Sequence, residues 1–135
     1  MAFNPRAFVD AAYEINRCRK ESCYRTAVGR AYYAVYGCLI VNLCSAKNCT
    51  RQQLFRNRGR HGDLIKCMQV YQPFRKMASS YCWLHGKRVD SDYKYGRTVD
   101  RTTAVGAIQT AEKMISDLTA MRKQDFVRFP LIPSP

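Results

Sequence analysis

Arg25-Thr-Ala-Val-Gly-Arg-Ala-Tyr-Tyr-Ala-Val-Tyr-Gly37 decides how this chain folds. Val28, Tyr32, Val35, Leu39 and Asn42 recur at helical spacing as one stripe. Ala27, Ala31, Ala34, Cys38 and Val41 form a second stripe of small residues beside it. An apolar arc this broad faces several neighbours, and its alanines let another helix approach closely. The spacing predicts one long helix from Glu21 or Ser22 to about Ala46, at the centre of an all-α bundle. Two arginines and three tyrosines in such a helix are costly to bury without partners, so the same stretch is also where chemistry is sought.

The other helices follow outward from this one. Asn4-Pro5 is an N-cap with proline at the first helical position, and Phe8, Ala11, Ala12 and Ile15 carry a first helix to about Cys18. Thr50 and Gln53 stand at capping-box spacing and open a short helix from Arg51 to about Asn57. Arg56-Asn-Arg-Gly-Arg-His-Gly62 reads as a basic, glycine-punctuated loop. Leu64, Ile65, Met68 and Tyr71 mark the next helix, and Pro73 opens another with the stripe Phe74, Met77, Ala78, Tyr81 and Leu84. That helix ends in the polar stretch from Asp90 to Arg97. Thr98 or Asp100 caps the last one, whose buried side runs from Ala104 to Met121. The stretch from Gln124 to Pro135 mixes three prolines with Phe126, Val127, Phe129, Leu131 and Ile132. Proline bars a helix at its end, and the apolar residues predict docking, either on the chain's own bundle or on a partner. The expected architecture is an up-and-down bundle of four to five helices over residues 1–123, with a non-helical C-terminal tail over 124–135.

Composition narrows the function classes. The chain has 135 residues, enough for one core without staples, and its 23 Lys plus Arg against 10 Asp plus Glu leave a charge of +13. Fifteen of the 23 cations are arginine, whose planar fork suits phosphate and stacked bases. Nucleic acid is the expected partner, ahead of an acidic protein; the alternative is a solvated basic surface. The seven cysteines are odd in number and scattered, without a Cys-x-x-Cys pair. With no signal peptide ahead of them, they are expected to be reduced thiols in a cytoplasmic protein. Two histidines without finger spacing give no metal site, and no cofactor is expected. Arg30 interrupts the longest apolar run, so no membrane span is expected.

Arg25-x-x-Val28-x-Arg30-Ala31-Tyr32-Tyr33-Ala34, then His61-Gly62 ahead of a helix, then Arg88-x-x-x-Asp92-Tyr93 late in the bundle, resemble in order the HEPN family of small prokaryotic helical domains. The resemblance covers roughly residues 5 to 120. It implies a helical bundle that forms a homodimer or serves as a subunit of a larger complex. It also implies a place in toxin–antitoxin or antiviral defence systems, as a metal-independent ribonuclease or as an inactive partner that binds nucleic acid or nucleotide. Nuclease members carry Arg and His about five to seven positions apart near the end of a late helix. Here that place reads Arg88-Val-Asp-Ser-Asp-Tyr93, with tyrosine where those members have histidine. Tyrosine, with a pKa of about 10, is a poor base and a better donor or stacking surface.

Metal-free RNA cleavage needs a group of near-neutral pKa to take the 2′-hydroxyl proton and a cation for the charge growing on the phosphate. Arg56-Asn-Arg-Gly-Arg-His61 matches the nuclease pattern literally, but ahead of a helix rather than late in the bundle. His85, Arg88 and Asp92 share one helical face, as do Arg30 and Tyr33 on the long helix. The candidate catalytic groups are therefore Arg56 with His61, or His85 with Arg88. The candidate nucleic-acid contacts are Arg30, Tyr33, Arg56, Arg58, Arg60, Arg88 and Tyr93. The structural alternative is an ion pair from Asp92 to Arg88 or Arg30 that ties the bundle together.

Overall fold

The computed structural model describes residues 3–55 and 60–133, with only the backbone of Arg60. Seven helices follow in order: α1 (Pro5–Asn16), α2 (Glu21–Lys47), α3 (Arg51–Phe55), α4 (Arg60–Val70), α5 (Gln72–Tyr93), α6 (Arg101–Ala120) and α7 (Lys123–Val127). No strand occurs among the described residues. The all-α bundle expected from the stripes is what forms. α2 is its axis and packs against α1, α5, α6 and α7, while α4 lies on α5. Val28, Tyr32, Val35 and Leu39 of the first stripe and Ala27, Ala31, Ala34 and Cys38 of the second are all buried. Val41 departs from its stripe and stands 43% exposed.

Local chemistry sets the ends. The Asn4 side chain accepts from the Arg6 amide at 3.0 Å, and Pro5 occupies the first turn of α1. α2 stops at Asn48, which takes the left-handed conformation (φ 49°) that asparagine tolerates better than most residues. Thr50 and Gln53 exchange both capping-box bonds, at 2.8 and 3.1 Å. Of the two candidate caps for α6, Asp100 accepts from the Thr103 amide at 2.8 Å.

Four expectations are corrected. The segment around His61 is not a loop: α4 begins at Arg60 and places His61 in its first turn, while Arg56 and Arg58 lie outside the described residues. The stretch after Lys123 begins with the short helix α7, because the Asp125 carboxylate accepts from the Arg122 amide at 3.2 Å and starts a turn before the prolines intervene. Three of its five apolar residues dock on the chain's own bundle: Phe126, Phe129 and Leu131 are buried, with Phe126 and Phe129 edge-on to Phe74 at 5.6 and 4.8 Å, while Val127 and Ile132 stay exposed. Cys18 and Cys23 are disulfide-bonded across the α1–α2 turn, their Cα atoms 6.1 Å apart, and the other five cysteines are free. A count by parity and motif missed this pair because the turn, not the spacing, brings the two together. Finally, α2 is long and apolar enough by length and composition to cross a membrane, despite Arg30. In its most apolar stretch 61% is buried inside the bundle, as in a core helix.

Arg25, the first residue of the deciding stretch, joins α2 to the far end of α5. Its guanidinium donates to the carbonyls of Asp90 and Ser91, each at 3.0 Å, also reaches the Arg97 carbonyl, and pairs with Glu21 at 3.0 Å. Glu21 in turn accepts from the Val99 amide at 3.1 Å. A cation is thus spent on the orphan carbonyls at a helix C-terminus, where the dipole favours it. Arg25→Ala is expected to lower the unfolding free energy by about 2–3 kcal/mol, since several acceptors lose a charged donor. Denaturant titration checks this; a loss below about 0.5 kcal/mol would mean that water replaces the clamp.

Candidate functional site

The tyrosines midway along α2 meet the histidines of α4 and α5. Tyr32 and Tyr36 are one turn apart on α2, and Tyr81, His85 and Arg88 follow one another along the facing side of α5. The first turn of α4 closes the third side with His61. The His61 and His85 rings stack with centroids 5.0 Å apart and planes 30° apart. Tyr32 touches both, at ring distances of 5.4 and 5.5 Å, and Tyr36 lies 5.1 Å from His61.

The hydroxyls explain why buried tyrosines are tolerated here. Tyr32 and Tyr81 are fully buried, and their hydroxyl oxygens lie 2.9 Å apart. The Tyr32 hydroxyl also hydrogen-bonds Nδ1 of His61 and so fixes the orientation of that ring. Burial raises the pKa of both tyrosines, so each remains a neutral phenol at physiological pH. His85 moves the opposite way. Burial first, and the neighbouring Arg88 charge second, lower its pKa below the ordinary 6.5 and favour the neutral imidazole.

Arg88 forms the charged edge of the cluster. Its Nε approaches Asp92 Oδ2 at 2.9 Å, and an Nη donates to the Tyr33 hydroxyl at 2.5 Å. The guanidinium lies 5.0 Å from the Tyr33 ring centroid, 5.4 Å from that of Tyr93 and 5.8 Å from that of Tyr32. The expected face of His85, Arg88 and Asp92 therefore forms, with Tyr33 and Tyr93 beside it. Asp92 pairs with Arg88, the first of the two arginines considered. Arg30 points instead over the Phe8 ring at 5.8 Å and remains exposed.

Of the sequence candidates, His61, His85, Arg88, Tyr33 and Tyr93 converge. Arg30 lies further along α2, across a groove from them. Arg56, Arg58 and the Arg60 side chain lie outside what is described. The pairing of Arg56 with His61 considered from sequence lies outside the described residues; among those described, His61 meets His85, 24 positions away with no local signal linking the two. Tyr32 and Tyr81 fall on core stripes in the sequence, and both are buried, as is Tyr36. Their second role follows only from the rule that a buried phenol needs a partner.

Among the described residues no group of His, Cys, Asp and Glu is arranged to hold a metal ion. No protein-family model, curated protein or solved structure matches this chain. The side chains brought together here are two imidazoles of different surroundings, one guanidinium and a shell of aromatic rings.

Proposed function

We propose that this protein binds RNA at the cleft of His61, His85 and Arg88, as a subunit of a prokaryotic toxin–antitoxin or antiviral defence complex or as a homodimer. The observation that carries this reading is the meeting of both histidines with Arg88 and the exposed ring of Tyr93 on a chain of charge +13. Guanidinium and aromatic rings together suit a phosphate and an unpaired base better than either alone. The resemblance to HEPN domains supports the biological setting. The expected result is an affinity for single-stranded RNA that falls about tenfold or more between roughly 50 and 200 mM salt. Fluorescence anisotropy with a labelled oligonucleotide measures it. Arg88→Ala is expected to weaken binding about tenfold, near the 1.4 kcal/mol that one charged contact contributes. Absence of binding, or an affinity flat with salt, removes the reading.

The histidine pair favours a second reading, an endoribonuclease that needs no metal. Neutral His85 would take the proton of a ribose 2′-hydroxyl, and the 2′ oxygen would form a bond to the adjacent phosphorus. The bond from phosphorus to the 5′ oxygen of the next nucleotide would break, and His61 in its imidazolium form would give that oxygen a proton. Arg88 would offset the charge on the phosphate oxygens. The products are a 2′,3′-cyclic phosphate and a free 5′-hydroxyl, and one proton has passed from one histidine's side to the other. Incubation with RNA in EDTA, followed by analysis of the fragment ends, decides it; intact RNA removes this reading and leaves binding.

A further inference from the structure

A groove of about 540 Å³ runs along α2 on the other side of Tyr33 and Tyr36 from the histidines, walled by Phe8 of α1 and floored by Gly37, Ile40 and Val41. Arg30 of α2 and Arg51, the first residue of α3, both line it. Each guanidinium lies over an aromatic ring of the groove, Arg30 on Phe8 at 5.8 Å and Arg51 on Tyr36 at 5.4 Å. Arg51 also donates to the Tyr36 hydroxyl at 3.3 Å. Both arginines are exposed.

We propose that this groove is a nucleobase subsite: it takes one unpaired base of a single-stranded RNA, with Arg30 and Arg51 on the phosphates to either side. The proposal rests on the RNA-binding reading above and extends it to a second place on the surface. Its size fits one nucleotide, within the range of small-ligand pockets. Its walls are flat rings and its floor is apolar, which suits the face of a base of any sequence.

Charge decides between occupants. Among the described residues no acidic side chain lines the groove, and its two charged side chains are arginines. A groove of similar size between α1 and α6, about 460 Å³, sets two carboxylates, Asp10 and Glu112, against one arginine, Arg6, and suits the same strand less well. A wholly apolar helix, including one from a second copy of this chain, would leave both arginines opposite nothing. The position also matches the cleft. Tyr36 lines the groove and lies 5.1 Å from His61, and Tyr33 lines it while holding Arg88. Tyr33 and Tyr36 are thus a wall shared between the groove and the histidine cluster.

Gly37 is a positional requirement. A Cβ there would collide with the Phe3 ring, so the glycine lets the segment before α1 lie down as part of the wall.

The test compares two ten-nucleotide RNA strands on the full chain, one with bases and one an abasic ribose-phosphate of equal charge. The base-bearing strand is expected to bind about tenfold more tightly, the lower part of the range for stacking one or two bases. Val41→Asp, at an exposed position in the groove, is expected to erase that preference: its carboxylate weakens both strands by like charge, while its polarity removes the apolar surface that only the base-bearing strand uses. Arg30→Ala is expected to weaken both strands together, with melting temperatures confirming that each variant is folded. Equal binding of the two strands by the native chain, or a preference that survives Val41→Asp, overturns the subsite while RNA binding stands. Failure of both strands to bind overturns the RNA reading and the subsite with it. If a glutamate-rich peptide competes as well as the base-bearing strand but the abasic one does not, the groove belongs to a protein partner.

Discussion

A chain ending at Lys123 is expected to lose its cooperative fold. The missing residues include Phe126, Phe129 and Leu131, which are 3%, 1% and 1% exposed. Burying one such side chain contributes about 1.5–3 kcal/mol, so the three together approach the whole stability of a small domain, about 5–15 kcal/mol. The loss also strips Phe74 of two edge-on rings and uncovers Tyr71, whose ring lies 6.5 Å from Phe129. Lys47 at the end of α2 would lose both carbonyls to which it donates, those of Val127 at 2.9 Å and Phe129 at 2.7 Å. Circular dichroism with thermal melting measures the result. Phe129→Ala should cost about 3–5 kcal/mol by itself, the range for deleting a buried aromatic ring. A truncated chain that melts within a few degrees of the full one would show that the bundle closes without its last segment. A truncation intended to probe assembly therefore probes folding first, and any loss of partner binding would have to be read against it.

His85→Ala is expected to reduce RNA cleavage about 10²–10⁴-fold, the usual contribution of a positioned general base. His61→Ala should reduce it by a comparable factor, because the leaving oxygen then departs without its proton. Unchanged cleavage by both variants would assign the activity elsewhere or to a contaminant. The pH profile adds an independent check. A base must be neutral to act, and burial together with Arg88 lowers the His85 pKa. The acid limb of the profile should therefore lie below pH 6.5, the ordinary value, and Arg88→Ala should move it upward by removing one of the two causes. Stability follows the same sign. The unfolded chain binds the His85 proton at higher pH than the native one does, so the neutral histidine's contribution is present above about 6.5 and is lost as pH falls toward the native value.

The fold was legible because its determinants are local or periodic. Asn4, Thr50 with Gln53, and Asp100 cap helices through side chains within three residues of the amides they accept from or exchange with. The two stripes of α2 needed only the period of 3.6 to be recognised as a multi-sided core face. Less of the site was legible. His85, Arg88 and Asp92 could be placed on one face of one helix, and they share it. His61 could not be assigned to them, since contact across 24 positions depends on how α4 docks on α5. Arg25 shows the same limit. From sequence it was an arginine in a core helix; its acceptors lie at positions 90, 91 and 97, at the end of α5 and in the loop beyond it.

Sequence alone determined that the chain is helical, that the stretch from Arg25 to Gly37 lies on the bundle axis, and that +13 of charge must be accommodated. These follow from periodicity, side-chain volume and a count of ions, none of which requires coordinates. Only the tertiary structure decided what the polar residues of that stretch do. Arg25 closes the end of α5, Tyr32 orients His61, and Tyr33 holds Arg88, while Arg30 is left at the rim of a groove. The physical reason is that hydrogen bonds and ion pairs act over about 3 Å, so their partners are chosen by helix packing, and packing is a property of the whole chain.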